Sequence, residues 1–92
     1  MDVFWTPEAE RDRLAVWEHI FTDNPKAAVA MDELFDDAVL RLAEYPNLGT
    51  VGRASGTREL LPHESYRIIY EIRDNAIRIL AVVHTARLWP KG

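Results

Sequence analysis

Residues 66–85, YRIIYEIRDNAIRILAVVHT, constrain the fold more than any other stretch of the chain. Two runs rich in Ile, Val and Tyr flank Asp74-Asn75, and a polar pair between β-branched runs signals a tight hairpin turn. Along Tyr66–Arg73 the side chains alternate. Tyr66, Ile68, Tyr70 and Ile72 fall on one face, and Arg67, Ile69, Glu71 and Arg73 on the other. After Arg78 the second run is apolar at nearly every position, so it is expected to be a central strand covered on at least one face. The run TRELL just upstream predicts a strand at Thr57–Leu61, with PHES as the connector.

The first half of the chain reads differently. DVFWT is short, β-branched and aromatic, and predicts a strand at Asp2–Trp5. Thr6-Pro7 and Asn24-Pro25 each pair an N-cap residue with proline at the first helical position. The first helix is expected over Pro7–Phe21, with Leu14, Trp17 and Phe21 as its apolar stripe and Val16 and Ile20 beside them. The second starts at Pro25 and ends at Pro46. Its stripe is Met31, Leu34, Phe35, Ala38, Leu42 and Tyr45, and Asp32, Glu33, Asp36, Asp37 and Glu44 form a solvated acidic face. The short connection between the helices predicts an antiparallel hairpin. PNLGTVGRASG is a glycine-rich loop without periodicity. The order β-α-α-β-β-β makes an α+β fold, a helical hairpin packed on a small, mainly antiparallel sheet, in one domain over residues 1–92.

Composition narrows the function. There is no cysteine, which excludes disulfides and thiolate metal sites. No apolar run reaches the roughly 18 residues of a membrane span, and MDVFWTPEAE lacks the basic start of a signal peptide. The expected location is the cytoplasm, with no membrane contact. The net charge of −4 is unevenly spread. Residues 1–45 carry eleven acidic and four basic side chains, and residues 46–92 carry four acidic and seven basic, six of them arginine. An acidic helical surface and an arginine-bearing sheet follow. Overall acidity argues against a protein that lives on nucleic acid.

The chemistry-bearing residues gather late in the chain. Arg58, Arg67 and Arg87 form an anion cluster if they share a sheet face; the alternative is separate arginines paired with Glu59, Glu71 and Glu64. His84 is either a general acid–base group or a strand-end histidine bound to backbone. Trp89, beside a terminal proline, reads as cover for a core edge and otherwise as a contact for a target. Trp5 and Trp17 read as core. His19, His63 and His84 are too scattered to suggest a metal, and the loop Asn47–Gly56 lacks P-loop spacing. No cofactor or metal is expected.

The string GTRELLPHESYRIIYEI…VVHTARLWP, with the helical hairpin opening on NP, resembles the RelE/ParE superfamily of toxins from bacterial type II toxin–antitoxin systems, over essentially the whole chain. The superfamily acts by two routes. RelE-like members cleave mRNA on the ribosome. ParE-like members, linked to plasmid stabilization and growth inhibition, poison DNA gyrase without chemistry of their own. The resemblance implies that Arg58, Arg67 and Arg87 stand at phosphate-binding positions of the nucleases, with His84 near a position that some relatives fill with histidine. Leu60 stands where a second lysine is usual, and the C-terminal tyrosine has no counterpart, so the acid–base set is incomplete. The ParE-like branch is therefore expected: a gyrase inhibitor neutralised by a cognate antitoxin, with Arg67, Arg87 and Trp89 as target or antitoxin contacts. The alternatives are a RelE-like nuclease acting with ribosome and mRNA, and a relative that only binds antitoxin. Homo-oligomers or toxin–antitoxin hetero-oligomers are implied. A chain this short should also expose an apolar groove.

Overall fold

The structure is a computed structural model that describes residues 1–91. Strand β1 (Asp2–Trp5) leads into helices α1 (Pro7–Asp23) and α2 (Pro25–Glu44), followed by β2 (Thr50–Val51), β3 (Arg58–His63), β4 (Tyr66–Arg73) and β5 (Ala76–His84). The five strands form one sheet in the order β1-β5-β4-β3-β2. Every pairing is antiparallel except β1 with β5, which is parallel. The α+β architecture expected from the sequence is present, with one addition. The loop expected after α2 contains β2, a two-residue strand too short to leave a periodic signal.

The caps act as the sequence suggests. Thr6 Oγ1 accepts the Ala9 N–H at 3.2 Å and donates to the Ile79 carbonyl at 2.8 Å, so one hydroxyl starts α1 and ties it to β5. Asn24 alone joins the helices. Its N–H donates to Ile20 O at 2.8 Å, closing α1, and its side-chain oxygen accepts the Ala27 N–H at 3.1 Å, opening α2. The connection is shorter than the few residues expected. The turn at Asp74-Asn75 has both residues at positive φ, 53° and 59°, as a two-residue hairpin turn that follows sheet twist requires.

The core lies between the hairpin and one sheet face. It comprises Ala9 and Val16 of α1, Phe35, Ala38 and Leu42 of α2, and Tyr66, Ile68, Tyr70, Ile77, Ile79 and Val82 of the sheet. The stripe expected on α1 is not the buried one. Leu14 and Phe21 are 56% and 48% exposed, and Trp17 is half-buried, stacked on Phe21 at 5.7 Å. Ala9, at the same helical spacing from Val16, presents a small surface that lets α1 approach the sheet, and Val16 and Ile20 follow on that side. Trp17 is thus outside the core, whereas Trp5 packs against its edge. On α2 the expected stripe holds except at Tyr45, which is 59% exposed. The acidic face is only partly solvated. Arg13 of α1 reaches Asp32 at 2.6 Å and Asp36 at 2.8 Å while its guanidinium lies 4.9 Å from the Trp5 ring centre. Burial pulls the Arg13 pKa down, but the two carboxylates outweigh it and hold the pKa above its ordinary value.

Tyr70, fully buried on the central strand, fixes the exit from α2. Its hydroxyl donates to Pro46 O at 2.8 Å and accepts the Gly49 N–H at 2.9 Å. A Cβ at Gly49 would lie 2.8 Å from the Tyr70 ring and 2.7 Å from Glu59 O. Tyr70→Phe leaves a buried N–H without a partner and should cost about 1–3 kcal/mol in urea denaturation. Gly49→Ala should destabilise by a comparable amount, on the order of 1–3 kcal/mol, through overpacking. Tyr45→Ser, at an exposed position, should leave the midpoint near that of the wild type.

Candidate functional site

The strand registers decide which basic residues can act together. Arg58 lies opposite Tyr70, and Tyr70 points to the helices, so Arg58 sits on the helix side. There it donates to Gly49 O at 2.7 Å and holds the start of β2. Arg67 lies one residue out of phase, on the far face with Glu59, Ile69 and Val83. His84 lies opposite Tyr66 and shares the helix side with it, the rings meeting edge to face at 5.4 Å. The residues that the sequence groups as one cluster are therefore divided between two faces of the sheet. Arg58 and Arg67 do not share a site.

The far face carries no helix, yet Ile69 is fully buried and Ala81 nearly so. The C-terminal segment after β5 returns toward this face and is held there by arginines. Arg67 donates to Glu59 Oε1 at 3.1 Å and, through its other terminal nitrogen, to Arg87 O. Arg53 donates to Pro90 O at 3.4 Å, and its backbone N–H donates to Glu59 Oε2 at 3.1 Å. Glu59 thus bridges the β2–β3 connection and β4, and Arg67 bridges β4 and the tail. Arg67 Nε is buried without a partner. Of the carboxylates expected to pair with separate arginines, Glu59 does so, with Arg67; among the described residues Arg58 and Arg87 pair with neither Glu71 nor Glu64. Trp89 is half-buried and lines a groove of about 430 Å³ along Leu80–His84, which Glu8, Asp12 and Arg87 also line.

A second cavity, of about 320 Å³, opens where α1 passes the end of β5. Asp12, His19, Tyr66, His84 and Arg87 line it. His84 is exposed, and its Nδ1 accepts the Ala86 N–H at 3.1 Å. It is thus bound to backbone, as one of the two roles open to a strand-end histidine requires, and the backbone group is a donor. Arg87 is exposed, and among the described residues it makes no ion pair. Nothing in the sequence joins His19 to this group, because most of the chain separates it from the end of β5. No set of three or more His, Cys, Asp or Glu residues among those described is arranged to hold a metal.

The chain matches the family model for the ParE toxin of the type II toxin–antitoxin system parDE over residues 3–89. It is 39% identical over 88 residues to the protein Y4kP of Sinorhizobium fredii, covering 95% of this chain and 91% of that one. It is 36% identical over 86 residues to toxin RelE2 of Caulobacter vibrioides, covering 94% and 97%. Among solved structures it resembles a chain of the chromosomal ParDE toxin–antitoxin system from Pseudomonas aeruginosa, with a TM-score of 0.79, 23% identity, and 91% and 95% of the two chains covered.

The Arg67–Glu59 bridge makes the tail's placement testable. Glu59→Ala leaves a mostly buried guanidinium unpaired and should cost about 2 kcal/mol, the range for hydrogen bonds to charged groups. Amide exchange at Ala86–Leu88 should accelerate in the same variant, while exchange in α2 keeps its wild-type rank order.

Proposed function

The chain belongs to the ParE toxin family of type II toxin–antitoxin systems, and from that premise we propose that it poisons DNA gyrase by binding and is neutralised by a cognate antitoxin. The observation that carries this reading is the state of Arg67. A nuclease of the RelE type needs free cations at the scissile phosphate and a general acid and base beside them. Here the guanidinium at that position is bound by Glu59 and by the tail's own carbonyl. Arg58 is committed to backbone on the other side of the sheet. Leu60 packs against the core instead of adding a charge. Binding a protein target requires none of these groups to be free.

Overall charge supports the same reading. Docking into ribosomal RNA depends on neutralising phosphates, and the hairpin presents a mainly acidic surface. For the antitoxin, the Leu14–Trp17–Phe21 ridge of α1 offers an apolar surface, with Leu14 and Phe21 exposed and Trp17 half-buried between them. It borders the crevice between the helices, where Glu10 and Asp32 also lie. A helix laid into an apolar groove is a common mode of peptide recognition.

Purified protein should inhibit supercoiling by DNA gyrase and trap cleaved DNA, and should leave ribosome-bound message uncut. His84→Gln keeps hydrogen-bonding capacity without a titrating group, so its toxicity should equal that of the wild type. Mapped cuts in ribosome-bound message, lost in His84→Gln, would refute the gyrase reading in favour of the nuclease. The antitoxin is expected in the adjacent reading frame. Leu14→Ser with Phe21→Ser should weaken that complex at least about tenfold, a change of roughly 1.4 kcal/mol, without changing the thermal midpoint by more than a few degrees.

A further inference from the structure

We propose that the crevice between α1 and α2 is an anchor pocket for an arginine side chain of the bound antitoxin. The inference rests on the antitoxin reading above for the identity of the partner, and adds the chemistry by which that partner is recognised. The crevice measures about 390 Å³ and is lined by Glu10, Arg13, Leu14 and Trp17 of α1 and by Asp32 of α2. The α1 residues stand at i, i+3, i+4 and i+7, so they share one helical face. The walls are of two kinds. Leu14 and Trp17 are apolar, whereas Glu10 and Asp32 carry carboxylates. A purely apolar anchor would bring hydrocarbon against those carboxylates. An arginine lays its methylene stem along apolar surface and keeps its charged head at the rim, so it matches both kinds of wall.

The carboxylates have capacity to spare. Glu10 is exposed and makes no ion pair among the described residues. Asp32 Oδ1 accepts from Arg13 Nε at 2.6 Å, and its Oδ2 accepts from no donor among the described residues. Arg13 does not cancel this charge, because it also binds Asp36 at 2.8 Å. Three carboxylates around one guanidinium leave an excess of negative charge at the crevice. Phe21 stacks on Trp17 at 5.7 Å, and the other α1 residues of the crevice all precede Trp17, so one side of the indole is left for a ligand. Indole is the best of the aromatic faces for a cation, and a guanidinium can stack on it while its edge donates. The chain already holds one guanidinium in this way. Arg13 lies 4.9 Å from the Trp5 ring centre with carboxylates of Asp32 and Asp36 at its edge. The crevice repeats that set, an indole and two carboxylates, with Asp32 common to both. A lysine would match the charge without the planar stacking, so arginine fits better.

The probe is N-acetyl-arginine amide, with N-acetyl-citrulline amide as its uncharged isostere. Each is titrated into the intact chain at low ionic strength while the indole N–H signals are followed by NMR. The arginine derivative should move the Trp17 signal along a saturable curve, and the signals of Trp5 and Trp89, which lie outside the crevice, should not follow it. The citrulline derivative should bind at least about tenfold more weakly. Glu10→Gln, at an exposed position, should remove most of that preference and keep the thermal midpoint. In the complex with the product of the adjacent reading frame, Glu10→Gln should raise Kd at least about tenfold at low salt, and less at high salt where charge is screened. Citrulline binding as tightly as arginine, a Trp17 signal that stays in place, or a Glu10→Gln protein that binds the arginine derivative as the wild type does would each overturn the pocket. A complex weakened by Leu14→Ser with Phe21→Ser but indifferent to Glu10→Gln keeps the antitoxin reading and overturns this inference. Saturable, Glu10-dependent binding of the arginine derivative with no complex formed by the wild type supports the pocket and refutes the antitoxin reading instead.

Discussion

A single hydroxyl, that of Tyr70, organises the change from helix to sheet on which the rest of the fold depends. It sits on the central strand, fully buried, and takes up both a carbonyl and an N–H from the segment that leaves α2. Arg58, opposite Tyr70 in the register, binds the Gly49 carbonyl from the same side. The two side chains satisfy polar backbone that burial would otherwise leave without partners. With Pro46–Gly49 fixed in this way, β2 can pair with β3, and β3 holds Glu59 where Arg67 can reach it. The far-face network therefore descends from a bond made on the helix side.

Arg13 plays the corresponding part within the hairpin. It spans the helices by binding two carboxylates of α2 and lies against the Trp5 ring and near that of Phe35. A guanidinium can do this because its face packs on aromatic carbon while its edge donates. The helices, first strand and core thus meet at one side chain. The pair with Asp32 also explains why the acidic face of α2 is less free than its composition suggests.

Much of this was legible in the residues. The β4–β5 hairpin, both proline-started helices, β1 and most of β3 lie where alternation, capping and turn chemistry put them. The α1 stripe did not, because Leu14-Trp17-Phe21 and Ala9-Val16-Ile20 share the same helical periodicity. Hydrophobicity favours the larger residues, and close approach to the sheet favours the smaller Ala9. β2 escaped notice because two residues carry no period. At the site, Arg58 and Arg67 look alike in sequence, and only the inter-strand register separates them onto opposite faces. The irregularity between Leu60 and His63 puts that register beyond simple counting. His19 joins His84 only through the packing of α1 against β5.

Asp12 has a meaning beyond its local bond. β1 covers β5 only as far as Ile79, so the last residues of β5 border the sheet without a neighbouring strand. Unpaired strand edges recruit other chains into growing sheets. Here the carboxylate of Asp12 occupies the Val82 N–H, placing a negative charge where an incoming strand would have to begin its ladder. At the opposite border the two-residue β2 pairs only with Arg58 and Glu59, which leaves Leu60–His63 of β3 without a partner strand on that side. The two borders of the sheet are thus unlike: a strand adding beside the end of β5 would have to displace a carboxylate, and one adding beside β3 would not.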